Sequence, residues 1–135
     1  MKFITLNNNG NKVLKSIPTK TIVFNIFDIT NSKDLVIRCP YDGNITNTNA
    51  STSKVGTQDT ELIVEKINKS DYQNQLDTWS NILSSNLFIR NGQVIDDGSH
   101  IVGVSSISKD DYFRVNLIGT SDLENINVEI EFEVE

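Results

Sequence analysis

The chain has very little of what catalytic and metal sites are usually built from. Its 135 residues include one cysteine (Cys39), one histidine (His100) and one tryptophan (Trp79). A single cysteine excludes an intrachain disulfide and any cysteine-based zinc cluster. A single histidine excludes a His-Glu-x-x-His zinc motif, and neither a P-loop nor a glycine-rich dinucleotide fingerprint is present. Basic residues are also scarce, with 12 Lys and Arg against 18 Asp and Glu and a net charge of −6 at pH 7. Binding a phosphate backbone takes clustered cations that displace counterions, so the balance argues against a nucleic-acid partner. No run approaches the ~20 apolar residues of a membrane span. The opening MKFITLNNNG lacks the long apolar core of a secretory signal. A soluble, unexported product with no membrane partner is expected.

Alanine is the other scarcity. Ala50 is the only one, against 17 Ile and 17 Asn. Alanine is the best helix former, whereas Ile, Val and Thr prefer strands, so this imbalance leans against a helical bundle. Codon bias contributes as well, since Asn, Ile and Lys (nine Lys against three Arg) have AT-rich codons. Apolar content of 37% and charged content of 22% are those of a globular chain, and the length suits one domain.

The pattern along the chain is that of short strands separated by turns. Ile126, Val128, Ile130, Phe132 and Val134 alternate with Asn127, Glu129, Glu131, Glu133 and Glu135. Period two over ten residues predicts a strand with one buried and one acidic, solvated face, which would also discourage edge pairing. Residues 21–28 are apolar on both faces except at Asn25, as expected of a central strand or one at an interface. Further strands are predicted at 35–39, which Pro40 stops, and at 45–50, 61–67, 101–107 and 112–118. Asn91-Gly92, between 87–90 and 93–95, is the strongest hairpin signal. Leu76, Trp79, Ile82 and Leu83 have helical spacing, which leaves a short helix or a long ordered loop open there. Eight to ten short strands with almost no helix predict an all-β fold, a single antiparallel β-sandwich of jelly-roll-like type over residues 21–135. Residues 1–20 differ, with two short apolar pieces (Phe3, Ile4 and Leu6; Val13 and Leu14) flanking an Asn/Gly cluster. They predict a hairpin or arm that packs on its own domain, the preferred reading, or docks on a neighbouring subunit.

Residues able to carry chemistry are few. His100 follows a turn rich in Asp, Gly and Ser and reads as a surface-loop residue, and Cys39 reads as a small buried side chain rather than a nucleophile. The pairs Asp96-Asp97 and Asp110-Asp111 are adjacent on an extended chain, so their carboxyls point apart and do not face each other across a sugar cleft. Loop calcium is conceivable for such oxygens, but no EF-hand spacing occurs. No catalytic, metal or cofactor residue is assigned. Trp79 and Tyr72 lie in the longest irregular segment, where Trp79 is expected to cap one end of the core or, alternatively, to stack with Tyr72 on a sugar ring.

Four segments carry a resemblance: Arg38-Cys39-Pro40-Tyr41-Asp42-Gly43-Asn44-Ile45, the run TQDTELIVEKIN at 57–68, Lys109-Asp110-Asp111-Tyr112-Phe113-Arg114-Val115, and LENINV at 123–128. In this order they resemble a β-sandwich domain of tailed-bacteriophage virion proteins found in capsid-decorating auxiliary proteins, head fibres and tail appendages. The resemblance implies a non-enzymatic structural protein on the capsid's outer shell, or alternatively a head-fibre or tail-appendage domain that binds host-surface glycans. Expected partners are the major capsid protein or other virion proteins, in a homo-oligomer or symmetric array. The expected location is the virion, assembled in the host cytoplasm. Phe3, Ile4, Leu6, Val13 and Leu14 are the candidate docking residues, and Trp79 and Tyr72 the candidate glycan contacts.

Overall fold

The alternation at the C-terminus becomes the central strand of a sheet. The computed structural model describes residues 2–6, 12–16, 18–27, 29–118 and 122–135, without the side chains of 2–6, 12–16, 29 and 30. In chain order its strands are β1 (Lys2–Leu6), β2 (Lys12–Ser16), β3 (Thr19–Ile26), β4 (Ile37–Arg38), β5 (Gly43–Ser51) and β6 (Thr60–Ile67). A one-turn helix α1 (Lys69–Gln73) follows, then β7 (Ser80–Asn81), β8 (Leu83–Ser85), β9 (Leu87–Ile89), β10 (Ile101–Val102), β11 (Ser106–Ile107), β12 (Tyr112–Ile118) and β13 (Ile126–Val134). One sheet has the order β11-β5-β13-β3; the other has β4-β12-β6-β7, with β9 also on β6. All pairings are antiparallel. The chain changes sheet at β3–β4, β4–β5, β5–β6, β11–β12 and β12–β13, which interleaves the two layers into an all-β, sandwich-like fold.

Period-two patterning explains the core. Ile22, Phe24 and Ile26 of β3 and Ile126, Val128, Ile130 and Phe132 of β13 point inward from one sheet. Leu62 and Val64 of β6, Phe113 and Val115 of β12, and Leu87 and Ile89 of β9 meet them from the other, in one buried cluster. The outer face of β13 carries Glu129, Glu131 and Glu133. In register beside them lie Val23, Thr21 and Thr19 on β3 and Asn49, Asn47 and Asn44 on β5. No basic side chain among the described residues pairs with these three glutamates, so the row is solvated as expected. Its expected effect on edge pairing does not apply, because β13 has neighbours on both sides.

Two other expectations are corrected. β3 is an edge strand, so of the two expectations for it, central or at an interface, the first falls; Val23 on its outer face and Phe27 just past its end are exposed, Phe27 at 76%. The Asn91-Gly92 turn forms, with Gly92 at φ 77° and the Gln93 N–H donating to Arg90 O, but no hairpin follows. Instead the Thr52 N–H donates to Val94 O and Ile95 bridges Ser51, drawing the outgoing chain to the opposite sheet. The turn itself is held from outside by Asp59, which accepts from the Asn91 N–H and pairs with Arg90. Backbone hydrogen bonding to the end of β5 thus overrides the local hairpin signal.

β5 carries a bulge. Glu131 faces Asn47 and Phe132 faces Ile45, so Thr46 is the extra residue, and its hydroxyl donates to Glu131 O at 3.3 Å. The bulge lets Ile45 and Thr48 both point inward despite their odd spacing. At its start β5 presses against β13, and a Cβ on Gly43 would stand 2.2 Å from the Glu133 carbonyl oxygen. Gly43→Ala is therefore expected to lower stability by about 1–3 kcal/mol, the usual range for overpacking. A urea titration checks this; an unchanged midpoint would mean that the two strands separate there without loss.

Candidate functional site

The register of the second sheet assembles an aromatic patch on its outer face. β12 sets Tyr112 opposite Ile67 and Arg114 opposite Glu65, while β7 sets Ser80 opposite Lys66, so continuing that register brings Trp79 beside Ile67. Ile67 is buried yet lies outside the main core cluster. The rings over this face form a satellite cluster. The Arg114 guanidinium stacks 4.2 Å from the Trp79 ring centroid while its Nε donates to Glu65 Oε1 at 3.0 Å. Tyr72, on α1, stacks on Tyr112 with centroids 4.2 Å apart and meets Trp79 edge-on at 6.0 Å and 81°. Trp79 is half-buried in this patch and does not cap the sandwich core, which corrects the expectation for it.

Local chain chemistry places Tyr72 there. The helical signal at Leu76–Leu83 is not used as a helix, because Ile82 and Leu83 are buried on the strand side of the segment. The helix lies earlier, where the Asn68 side chain accepts from the Asp71 N–H at 2.8 Å and caps α1. It ends in a Schellman-type closure, with the Gln75 N–H donating to Tyr72 O and the Leu76 N–H to Asp71 O. The residue that must turn left-handed is Gln75, at φ 57°, where glycine is usual. A side chain in that conformation costs about 1–2 kcal/mol. The Thr78 hydroxyl donates to Asp71 Oδ2 at 2.7 Å and ties the loop back to the helix.

Between α1 and β7 this loop leaves an open recess of about 560 Å³ lined by Tyr72, Gln73, Gln75, Leu76, Asp77 and Trp79. The two residues singled out for glycan contact are thus brought together. Tyr112 and Arg114, which brace them, were missed by sequence reasoning. Their signal is the alternation of β12, which puts both on the face opposite Phe113 and Val115.

The remaining candidates are dispersed. Cys39 is fully buried, its thiol points to the Tyr41 carbonyl, and burial pushes its pKa up. His100 lies in a loop as expected, but its side chain is only 10% exposed: Nε2 is 3.3 Å from Asn47 Oδ1 and Nδ1 is 3.5 Å from Asp96 Oδ1. Asp96 accepts from the Ala50 and Gly98 N–H groups, and buried Asp111 from the Ser108 N–H with Lys66 nearby. Asp110 pairs with Arg38. These carboxylates tie loops to strands. Among the described residues no group of three or more His, Cys, Asp or Glu is arranged to hold a metal ion, and no helix is long and apolar enough to cross a membrane. Backbone pairing joins Lys2–Leu6 to Lys12–Ser16, whereas the side chains of Phe3, Ile4, Leu6, Val13 and Leu14 lie outside the described residues. No family model, curated protein or solved structure matches the chain.

The loop after β9 is charge-dependent. Ser99, donating from its hydroxyl and its N–H, holds the Asp97 carboxyl down to about 2, and Arg90 contributes further. The folded value lies below the ~3.9 of an unfolded Asp. Asp97 therefore adds stability above about pH 4 that is lost as the pH falls through about 2. Asp97→Asn is expected to be less stable than wild type at pH 7, with the gap closing towards pH 2. Denaturation midpoints across that range check it; a gap independent of pH would remove charge as the cause.

Proposed function

We propose that the protein is a non-enzymatic structural component of a tailed-bacteriophage particle, an auxiliary protein attached to the outer face of the capsid. The order of its Pro40–Gly43, 57–68 and 109–115 segments supports the phage assignment by resemblance. The interleaved sandwich supports a scaffold role. The neighbours of His100 among the described residues are Asn47 and Asp96, with no Ser, Thr or Cys for it to activate, which favours a role without turnover.

The observation that carries the attachment reading is the N-terminal hairpin. β1 and β2 form a two-stranded sheet of their own, with Ile4 opposite Leu14 and Thr5 opposite Val13. A two-stranded hairpin alone is marginal in water and needs a further surface to bury its apolar residues. Its own domain is one such surface, and on this reading a neighbouring capsid subunit is the one used. On a capsid lattice many identical copies bind at once, so each contact can be modest while avidity holds the array. The unpaired glutamates of β13 suit the face left in water. Purified protein is expected to co-sediment with capsids at a fixed stoichiometry and to lose that association when residues 1–17 are deleted. Absence of capsid association in the full chain, or its persistence in the deletion variant, would sink the proposal.

A further inference from the structure

We propose that the recess between α1 and β7 binds a neutral saccharide, with Tyr72 and Trp79 as the stacking surface and Gln73, Gln75 and Asp77 as the hydrogen-bonding rim. The inference is independent of capsid attachment, which rests on the N-terminal hairpin.

Three observations converge on it. The rings are fixed before any ligand arrives: Arg114 occupies one face of Trp79, Tyr112 one face of Tyr72, and Glu65 holds Arg114 in turn. A rigid platform avoids the entropy loss of ordering side chains on binding. The rim is unspent, since the side chains of Gln73, Gln75 and Asp77 make no hydrogen bond among the described residues while facing a recess that also exposes Tyr72 and Leu76. Gln75 occupies the left-handed position that glycine would take without strain, so the fold gains nothing from its side chain there.

The lining chemistry selects the ligand class. No Lys, Arg or His borders the recess, and Asp77 is its one charged residue, which disfavours phosphate, sulfate or carboxylate ligands. A cationic ligand would meet a Trp79 ring whose other face already carries Arg114, and would be repelled by it. A pyranose has neither problem. Its C–H groups carry slight positive charge and suit the negative faces of aromatic rings. Its hydroxyls both donate and accept, as the two glutamine amides do, and Asp77 accepts. The recess volume of about 560 Å³ suits one or two sugar rings.

Trp79 is the only tryptophan, so its emission reports on the recess without a label. The full chain is screened on an array of neutral oligosaccharides built from hexoses and N-acetylhexosamines, and hits are titrated by fluorescence with choline and glucose 6-phosphate as cationic and anionic arms. A saturable emission change is expected with a neutral hit and with neither charged probe. Gln75→Gly relieves the strained residue, so it is expected to melt at a higher temperature than wild type while binding the hit about tenfold more weakly or worse. The proposal is overturned by an array without neutral hits, by a response to a charged probe instead, or by unchanged affinity in Gln75→Gly.

Discussion

The sandwich depends on β13 holding the middle of its sheet. The strand pairs along its length with β3 on one side and β5 on the other, and every second residue from Ile126 to Phe132 is buried. Because side chains alternate strictly, a one-residue slip would drive Glu129 and Glu131 into the core and Val128 and Ile130 into water. Burying even one unpaired carboxylate is prohibitive, so the acidic face fixes the register as firmly as the apolar one. The bulge at Thr46 reconciles β5 with that register. It takes up one residue so that Ile45 and Ala50, five apart, both stay on the buried side.

This explains which parts of the fold were legible. β13 could be read directly because its residues alternate along the strand, and β6 and β12 because they are runs of strand-favouring residues whose local preference agrees with tertiary burial. Where the two disagree, the sequence misleads. The Asn91-Gly92 turn has the chemistry of a hairpin, but Val94 and Ile95 find hydrogen-bond partners on β5. Residues 21–28 are apolar on both faces except at Asn25, which suggests a central strand or one at an interface, and β3 lies at an edge with Val23 and Phe27 exposed. Its hydrophobicity alone does not say which neighbour covers it, if any.

The candidate site was only half legible, for a related reason. Trp79 and Tyr72 stand out by type and by their irregular segment. What brings them together is the register of three strands remote in sequence, which sets Tyr112, Ile67 and Trp79 side by side. No local pattern contains that information. The position of α1 was hidden differently: the spacing of Leu76, Trp79, Ile82 and Leu83 mimics a helix, while the true signal is the short Asn68 cap ahead of Asp71. A one-turn helix has no periodicity to detect.

Much of the aromatic patch has a structural explanation. Tyr112, Tyr72 and Trp79 shield Ile67, and the Arg114–Glu65 pair completes the cover. The loop beyond them does not share that explanation. Gln73, Gln75, Leu76 and Asp77 protect little from water, and Gln75 holds a backbone conformation that a smaller residue would adopt more easily. Elsewhere among the described residues the chain follows local rules more closely: the other positive φ values fall on Gly92, Gly98, Asp110 and Asn125, residue types that adopt them readily, and Asn68 supplies a standard cap. In a chain so consistent, a departure that weakens the fold while furnishing an aromatic corner with free amides and a carboxylate is best understood as serving something outside the fold.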